Sequence, residues 1–441
     1  MIITIPVAGT RGDVQPAIAL GLGLEQAGYR VRLMAFEEYR PLVMEHGLDF
    51  YPLQVNMQSL LEKHGKASLF EPGSNQIFFI PLLIRLFIEM YEQTTIDILA
   101  AASSASTEES SVAIIGNPAT STIAFAVAEK LGAAYIETSG FPGWVTRSFP
   151  SIFWPWISSP SDGGGWRGVY NRLTYAPFGW MANIGMAPAV NRCRKKVLGL
   201  PPLSPSGSYQ KRAAMGAPAL AHFSTHVLPP PADWPPFVHV TGYFFIDTPA
   251  FTPSPELRRF LEAGPPPVYI GFGSMPSRDP AQMARLVTTA LRLAGHRGLL
   301  LIDPGLLGEG LAKEEIDQDI LAIGSIPHDW LFPRCVAVVH HGGAGTTAAG
   351  LRAGVPSILI PILADQLLWA RRIEDLGVGP RSIPRSKLNA ERLAEAITQA
   401  ATDLSMRQRA TALGEKINTE NGVGKAVEII DKYIKNAFHS K

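Results

Sequence analysis

Cysteine is nearly missing: Cys193 and Cys335 are the only two in 441 residues. Two thiols cannot build a disulfide framework or a thiolate zinc site. Charge is also scarce, at 17% of residues against roughly 25% in an ordinary domain. That shortage excludes a charge-rich disordered chain. The 39 basic and 38 acidic residues leave a formal net charge of +1, so no nucleic-acid partner held by bulk charge is expected. No Asn-x-Ser/Thr triplet occurs, which suits an intracellular protein. The opening residues, Met1 to Val7, lack a basic start and a long apolar run. They read as a strand and not as a signal peptide. The greasiest stretch, Ile77 to Ile84, is broken by Pro81 and followed by Arg85 and Glu89, well short of the roughly 20 apolar residues of a membrane span. A soluble, cytoplasmic protein is expected.

What the chain does have is apolar bulk, 46% of its residues. Its length suits two or three domains with full cores. Ile2 to Val7 is a β-branched apolar run, hence a buried strand. Ala8 to Asp13 is a turn. Val14 to Ala27 is a helix with Pro16 in its first turn and Gly28 at its end. Tyr29 to Ala35 is a second strand. Further strands fall at 112–115 and 134–137. This alternation predicts an open, mostly parallel α/β sheet.

Residues 141–215 break the rhythm with Trp144, Trp154, Trp156, Trp166 and Trp180 among many Pro and Gly. The stretch reads as long loops and short helices over a ligand cleft, with some tryptophans serving as packing. A proline-rich region at 227–267 reads as a linker, semi-rigid where extended. A run from Val268 to Ser274 then restarts the alternation, with strands at 299–302, 321–323, 335–339 and 357–360. Two α/β halves are expected, residues 1–245 and 246–425. A last helix, Ala426 to Asn436, lies in a closing segment, 426–441.

The strongest local pattern is Val338-Val339-His340-His341-Gly342-Gly343-Ala344-Gly345-Thr346-Thr347-Ala348. A buried strand runs into glycines and then a helix. Glycines admit a ligand close to the backbone, and the free N–H groups of a helix start favour an anion. Thr346 and Thr347 add hydroxyls, and His341 stands at the strand's carboxyl end, where α/β sheets bind ligands. A phosphate or pyrophosphate site is expected, although a tight strand-to-helix turn alone would also use glycines. Gly343-x-Gly345-x-x-Ala348, with Asp365 twenty residues past Gly345, also fits the loose dinucleotide fingerprint.

Asp365-Gln366 opens the next helix, where Asp365 can cap and can also grip sugar hydroxyls. The first turn places Thr10, Arg11 and Asp13 at another sheet edge. Arg11 could meet a phosphate; Asp13 could be a general base or a cap, and on this turn alone the cap is favoured. Asp317-Gln318-Asp319 reads as a solvated connection and not as a cation site. Seven other histidines show no metal-like spacing. Gly271-Phe272-Gly273-Ser274-Met275 lacks the last glycine of a nucleophile elbow.

Gly9-Thr10-Arg11-Gly12-Asp13-Val14-Gln15-Pro16 resembles the N-terminal signature of the sterol and antibiotic glycosyltransferases, members of the family-1 UDP-glycosyltransferase superfamily. Gly324 to Pro333, His340 to Thr347 and Asp365-Gln366 resemble its donor-binding signature. Asp303-Pro304-Gly305 departs from the Gly-Trp that sterol-like members often carry there.

The resemblance implies a GT-B fold: two Rossmann-like domains facing across a cleft, with the C-terminal helix crossing back to the N-terminal domain. It implies an acceptor in the first half and a nucleotide sugar in the second. His341 and Gly343, Ala344, Gly345 and Thr346 would hold the diphosphate, with Ser274 nearby. Ile326 would pair with the uracil, and Asp365 and Gln366 with the sugar. Asp13 would be the general base, with Thr10, Arg11 and Gly12 lining the phosphate side.

The activity so implied is inverting transfer of a hexose, glucose from UDP-glucose, to a hydroxyl of an apolar acceptor such as a sterol. The acceptor would lie near Phe141, Trp144 and the apolar 77–90 segment. No metal and no cofactor are expected beyond the co-substrate. The expected partners are a nucleotide sugar and an apolar small molecule, with weak membrane-surface contact at most. Three alternatives remain: a macrolide or polyketide glycosyltransferase using UDP- or dTDP-sugars, an NAD(P)-dependent oxidoreductase, and a non-catalytic binding protein.

Overall fold

The computed structural model describes residues 1–55, 79–103, 111–154, 158–204, 206–246, 251–272, 280–302, 318–362 and 364–439. The first half runs β1 (Ile2–Pro6), α1 (Arg11–Gln26), β2 (Arg30–Phe36), α2 (Arg40–Glu45), β3 (Asp49–Leu53), α3 (Phe79–Ser103), β4 (Ser111–Gly116), α4 (Ser121–Leu131) and β5 (Ala134–Ser139). It continues through α5 (Gly165–Leu173), α6 (Tyr175–Cys193), α7 (Gly207–Ala214), β6 (Ala219–Ala221) and β7 (Val238–Val240).

The second half runs α8 (Pro255–Glu262), β8 (Val268–Gly271), α9 (Pro280–Ala294), β9 (Gly298–Leu301), β10 (Ile320–Ile323), α10 (His328–Leu331) and β11 (Ala337–His340). It ends with α11 (Ala344–Arg352), β12 (Ser357–Leu359), α12 (Asp365–Leu376), α13 (Ala390–Thr402), α14 (Leu404–Asn418) and α15 (Gly422–His439).

Every strand pairing is parallel. The first sheet has the order β3-β2-β1-β4-β5-β6-β7 and the second β10-β9-β8-β11-β12. Each is doubly wound, and the winding reverses between its first and fourth strands. Helices cover both faces, so the strands read as continuous apolar runs without alternation. All five residues of β1 are buried, as are all four of β8 and all four of β11.

A crevice opens at the carboxyl ends wherever such a sheet reverses its order. In the first sheet that point lies between β1 and β4, and in the second between β8 and β11. The chain segments at the two reversals include the Thr10–Asp13 turn and the His341–Thr346 turn.

The halves share an apolar cluster. Phe223 of the first half meets Trp369 of α12 edge to face, with centroids 5.7 Å apart. Arg372 Nε donates to Val227 O at 2.8 Å, and Arg371 donates through Nε and Nη2 to Ser159 Oγ at 2.9 and 2.8 Å. The last helix returns to the first sheet: Ala426, Ile430 and Ile434 pack with Ile18 and Leu24 of α1. Tyr29 Oη donates to Asp431 Oδ1 at 2.8 Å on the same contact.

Two local expectations change. Helix α1 starts at Arg11, one turn earlier than the apolar pattern suggests, because Asp13 caps it from within. Pro16 therefore lies inside the helix and leaves the Gly12 carbonyl without its backbone donor. Residues 141–215 hold more than short helices: α6 spans 19 residues with Pro188 inside it. Helix α6 packs along α3 and runs through Gly179, Gly185 and Pro188. Among the described residues no helix is long and apolar enough to cross a membrane.

Candidate active site

The carboxylate of Asp13 closes the first turn. Its Oδ2 accepts from the Thr10 backbone N–H at 2.8 Å and from Thr10 Oγ1 at 3.2 Å. Gly9 makes room for it, since a Cβ there would collide with Oδ2. Asp13 keeps contact with solvent, yet protein on both sides of the crevice starves it of hydration. That desolvation raises its carboxyl above the usual Asp range, more than the two Thr10 hydrogen bonds lower it. The carboxylate that caps α1 thus also faces the crevice with a raised pKa.

Two residues that sequence reading passed over hold this turn from behind. Thr120 Oγ1 donates to Pro6 O at 2.9 Å, and Asn117 Nδ2 donates to Ala8 O at 3.1 Å. Both lie just past β4, on the other side of the reversal. Nothing local marks Asn117 to Thr120; only the strand order reveals their neighbour.

In the second half, β11 delivers His340 and His341 to the sheet edge. His340 is fully buried, and its Nδ1 accepts from the Gly342 N–H at 3.1 Å. It is a neutral brace for the glycine turn, held well below its ordinary pKa by burial. His341 stands forward. Its ring lies against Gly343, where a Cβ would sit 2.5 Å from Nε2. Its Nδ1 is buried without a partner, and burial lowers its pKa.

Gly342 has φ +92°, a conformation natural to glycine. Helix α11 then begins at Ala344, with Gly345 exposed and Thr346 half-buried. Thr347, expected as a second hydroxyl, is 1% exposed and belongs to the core. Helical spacing turns it away from its neighbour.

The third turn precedes α12. Ala364 has φ +54°, the only non-glycine positive φ among the described residues. Such a backbone is strained for an L side chain with a Cβ. It aims Asp365 at the crevice, and Trp369 Nε1 donates to Asp365 Oδ2 at 3.1 Å. Burial pushes the Asp365 carboxyl up to about 6; the Trp369 bond opposes this, and the charge of Asp13 adds to it. Gln366 is buried, and its Oε1 accepts from the Ile362 N–H at 2.9 Å, so it braces the turn.

These turns face one another. A Cβ placed on Gly345 would lie 3.9 Å from Gly12 Cα. Arg11 Nη1 donates to Ser325 Oγ at 2.8 Å across the crevice. Ile326 follows, half-buried against the β8–β9 side of the second core. His328 stacks on Phe332 with centroids 4.3 Å apart, and burial lowers it to about 4.

His222, one of the seven histidines without metal-like spacing, lies beside the crevice. Its ring stacks on Phe244 at 4.9 Å and borders Gly140, and burial lowers it to about 4. Phe141 is half-buried beside Ala344 in the shared cluster. Trp144 is mostly packing: it is 8% exposed and sits edge-on to Trp234 with centroids 5.5 Å apart. Ser274, Asp317 and most of the 77–90 segment's side chains lie outside the described residues. Among the described residues no three His, Cys, Asp or Glu side chains are grouped to hold a metal.

Two doubly wound sheets meeting at their reversal points form a GT-B glycosyltransferase fold. Solved structures agree. The chain superposes on a kitacinnamycin glycotransferase with a TM-score of 0.69 at 17% identity, covering 98% of this chain and 99% of that one. It superposes on the glycosyltransferase VinC, solved in complex with dTDP, with a TM-score of 0.66 at 17% identity, covering 99% and 100%.

Residues 3–150 match the glycosyltransferase family 28 N-terminal domain, and residues 308–433 match the erythromycin biosynthesis protein CIII-like C-terminal domain. A sterol 3-beta-glucosyltransferase of Arabidopsis thaliana is 34% identical over 98% of this chain and 68% of its own length. The O-mycaminosyltylonolide 6-deoxyallosyltransferase of Streptomyces fradiae is 35% identical over 98% of this chain and 97% of its own. A sterol 3-beta-glucosyltransferase of Yarrowia lipolytica is 35% identical, but the chain spans only 28% of its length. The chain belongs to the sterol and antibiotic branch of the family-1-type glycosyltransferases. The glycine fingerprint after β11 is accordingly part of a glycosyltransferase and not the mark of an oxidoreductase.

Proposed function

We propose that the protein transfers a hexose, glucose from UDP-glucose, to a hydroxyl of an apolar acceptor of the sterol kind, with inversion at the anomeric carbon. The observation that carries this reading is the facing of the Asp13 turn and the Gly345 turn across one crevice. It puts a desolvated carboxylate opposite a helix start suited to phosphate.

In the proposed step Asp13 takes the acceptor's hydroxyl proton while that oxygen attacks C1 from the face opposite the diphosphate. The new C1–O bond forms as the bond to the diphosphate breaks, and UDP leaves with the electron pair. The N–H groups at Ala344, Gly345 and Thr346, together with His341 and Arg11, meet the charge that develops on the leaving group. Asp365 accepts hydroxyls of the sugar, and Gln366 holds the turn that presents it. The backbone of Ile326, in the β10–α10 connection, would pair with uracil. Thr10 and Gly12 would line the phosphate side, and Ser274, outside the described residues, is assigned there by resemblance alone. No metal or further cofactor has a part in this scheme. Phe141 and its apolar neighbours would receive the acceptor, while Trp144 supports them from below.

The Streptomyces relative, matched along 97% of its length, favours a second reading with a macrolide acceptor and a dTDP-deoxysugar. One experiment separates the two: mass-spectrometric detection of transfer from UDP-glucose and dTDP-glucose to sterols, macrolides and phenols. A sterol glucoside made from UDP-glucose supports the first. Transfer only from the dTDP-sugar to a macrolide replaces it. Binding of either nucleotide with no transfer to any acceptor refutes both. A product of retained configuration would sink the displacement scheme.

A further inference from the structure

Trp369 lies one turn into α12 and is 1% exposed. A buried indole has one polar atom to satisfy, its N–H. Here that N–H donates to Asp365 Oδ2 at 3.1 Å. A core side chain therefore ends on the first carboxylate of α12. Its rings meet Phe223 of the first half edge to face, with centroids 5.7 Å apart.

The contacts continue into the first half. Phe223 meets Trp234 at 6.4 Å, and Trp234 meets Trp144 at 5.5 Å and Phe149 at 6.3 Å. Trp234 Nε1 also donates to Trp144 O at 3.3 Å. Phe223 and Phe149 are fully buried, and Phe141 packs against the same cluster. Five rings thus run from the 144–149 stretch to the start of α12. Two arginines tie the same helix to the same half, Arg372 on Val227 O and Arg371 on Ser159 Oγ. The His341–Thr346 turn leads into a different helix, α11.

We propose that Trp369 is a positioning residue through which the first half holds Asp365 in place for the sugar, a role that rests on the proposed grip of Asp365 on sugar hydroxyls. Phenylalanine would fill most of the same space, so packing alone does not call for an indole there. Close-packed rings pass a displacement on and do not absorb it. An aligned N–H holds a carboxylate in one orientation. Without it Asp365 is free to turn, and the sugar loses a fixed acceptor. The diphosphate, met by the α11 start, keeps its donors.

The test is calorimetric titration of the full chain with UDP and UDP-glucose, and with dTDP and dTDP-glucose. The quantity read, on whichever pair binds, is the Kd of the nucleotide sugar divided by that of its diphosphate. Trp369→Phe should raise this ratio by about tenfold, the scale of a hydrogen bond to a charged group, with the diphosphate itself within about twofold of the parent. Phe223→Leu keeps the N–H but loosens the rings, and should raise the ratio about threefold. It carries the test if Trp369→Phe fails to fold. Trp369→Phe added to Asp365→Asn should raise the ratio no further than Asp365→Asn alone, because both act through one carboxylate. Equal weakening of sugar and diphosphate in Trp369→Phe would reduce Trp369 to a core residue. A parent-like ratio in Phe223→Leu would detach the first half from Asp365. Additive losses in the double variant would route the effect elsewhere. Each of these overturns the proposal. A ratio raised by Asp365→Asn but not by Trp369→Phe sinks this inference alone. A parent-like ratio in Asp365→Asn, or binding of neither pair, sinks the proposed donor site with it.

Discussion

Arg11 and Ser325, 314 positions apart in the chain, are joined by a 2.8 Å hydrogen bond from Nη1 to Oγ. This bond spans the crevice between the first turn of one sheet and the β10–α10 connection of the other. The guanidinium thus bridges the halves at the crevice to which the proposed function assigns the nucleotide diphosphate. A bidentate phosphate is a stronger partner for arginine than a serine hydroxyl.

Arg11→Ala should therefore weaken UDP binding by about tenfold or more, because a hydrogen bond to a charged group contributes roughly 1.5–3 kcal/mol. Calorimetric titration with UDP measures this directly. Arg11→Lys should restore only part of the loss, since it lacks the planar fork. An unaltered Kd in Arg11→Ala would place the diphosphate elsewhere.

Asp13→Asn separates chemistry from binding. The amide can still accept from Thr10, so α1 and the nucleotide site should persist. Turnover should drop by about 10²–10⁴, the usual contribution of a general base, while UDP affinity stays near that of the parent. The base works only when ionised, so kcat/KM should rise with pH. Desolvation raises this carboxyl, which puts the acid limb above the ordinary Asp range. Near-parent turnover in Asp13→Asn would remove Asp13 from the mechanism.

At Gly343 the test is steric. An added methyl would stand 2.5 Å from His341 Nε2, and the ring cannot retreat freely with its other nitrogen buried. Gly343→Ala should push the imidazole from the crevice and lower affinity for UDP, with a smaller effect on thermal stability. Gly28→Ala is a useful contrast. It has no atom within 4 Å of its new Cβ but a φ of +89°, so it should cost stability and leave UDP affinity alone.

Much of this site was legible in the sequence, for definable reasons. Strand runs such as Ile2–Pro6 are apolar throughout because both sheet faces are covered. The His341–Thr346 and Asp365 turns announced themselves by residues that a plain turn does not need. Asp13 was readable only as an ambiguity; the structure shows the cap, and the base belongs to the proposed mechanism. What stayed hidden depends on contacts distant in sequence. Thr120 and Asn117 matter because β4 lies beside β1, and strand order leaves no local trace. Trp369 holds Asp365 from one helical turn away, but its indole could have faced the core alone. Trp166 looked like a cleft residue among other tryptophans, and only burial distinguishes it from Trp144. Thr347 shows the converse: a hydroxyl beside a phosphate motif that helical geometry buries.

Asp365 should cost stability in order to serve the site, and this can be read from pH. Its carboxyl ionises near 3.8 when unfolded and near about 6 when folded. A folded pKa raised in this way contributes nothing adverse below pH 3.8, where both states hold the proton. The penalty builds as pH rises from there through 6, and above that range it is complete. Its size is on the order of 3 kcal/mol by the usual conversion. Asp365→Asn keeps an acceptor for Trp369 Nε1 and removes the charge. The variant should melt several degrees higher than the parent at pH 8, with little or no gain at pH 4, while glucose transfer collapses. Differential scanning fluorimetry at the two pH values, paired with a transfer assay, reads both effects. Equal shifts at pH 4 and pH 8 would mean that packing, not charge, sets the difference. A gain confined to pH 8 and joined to lost transfer would mark Asp365 as a carboxylate whose charge burial disfavours in the folded chain and that sugar hydroxyls would help to satisfy.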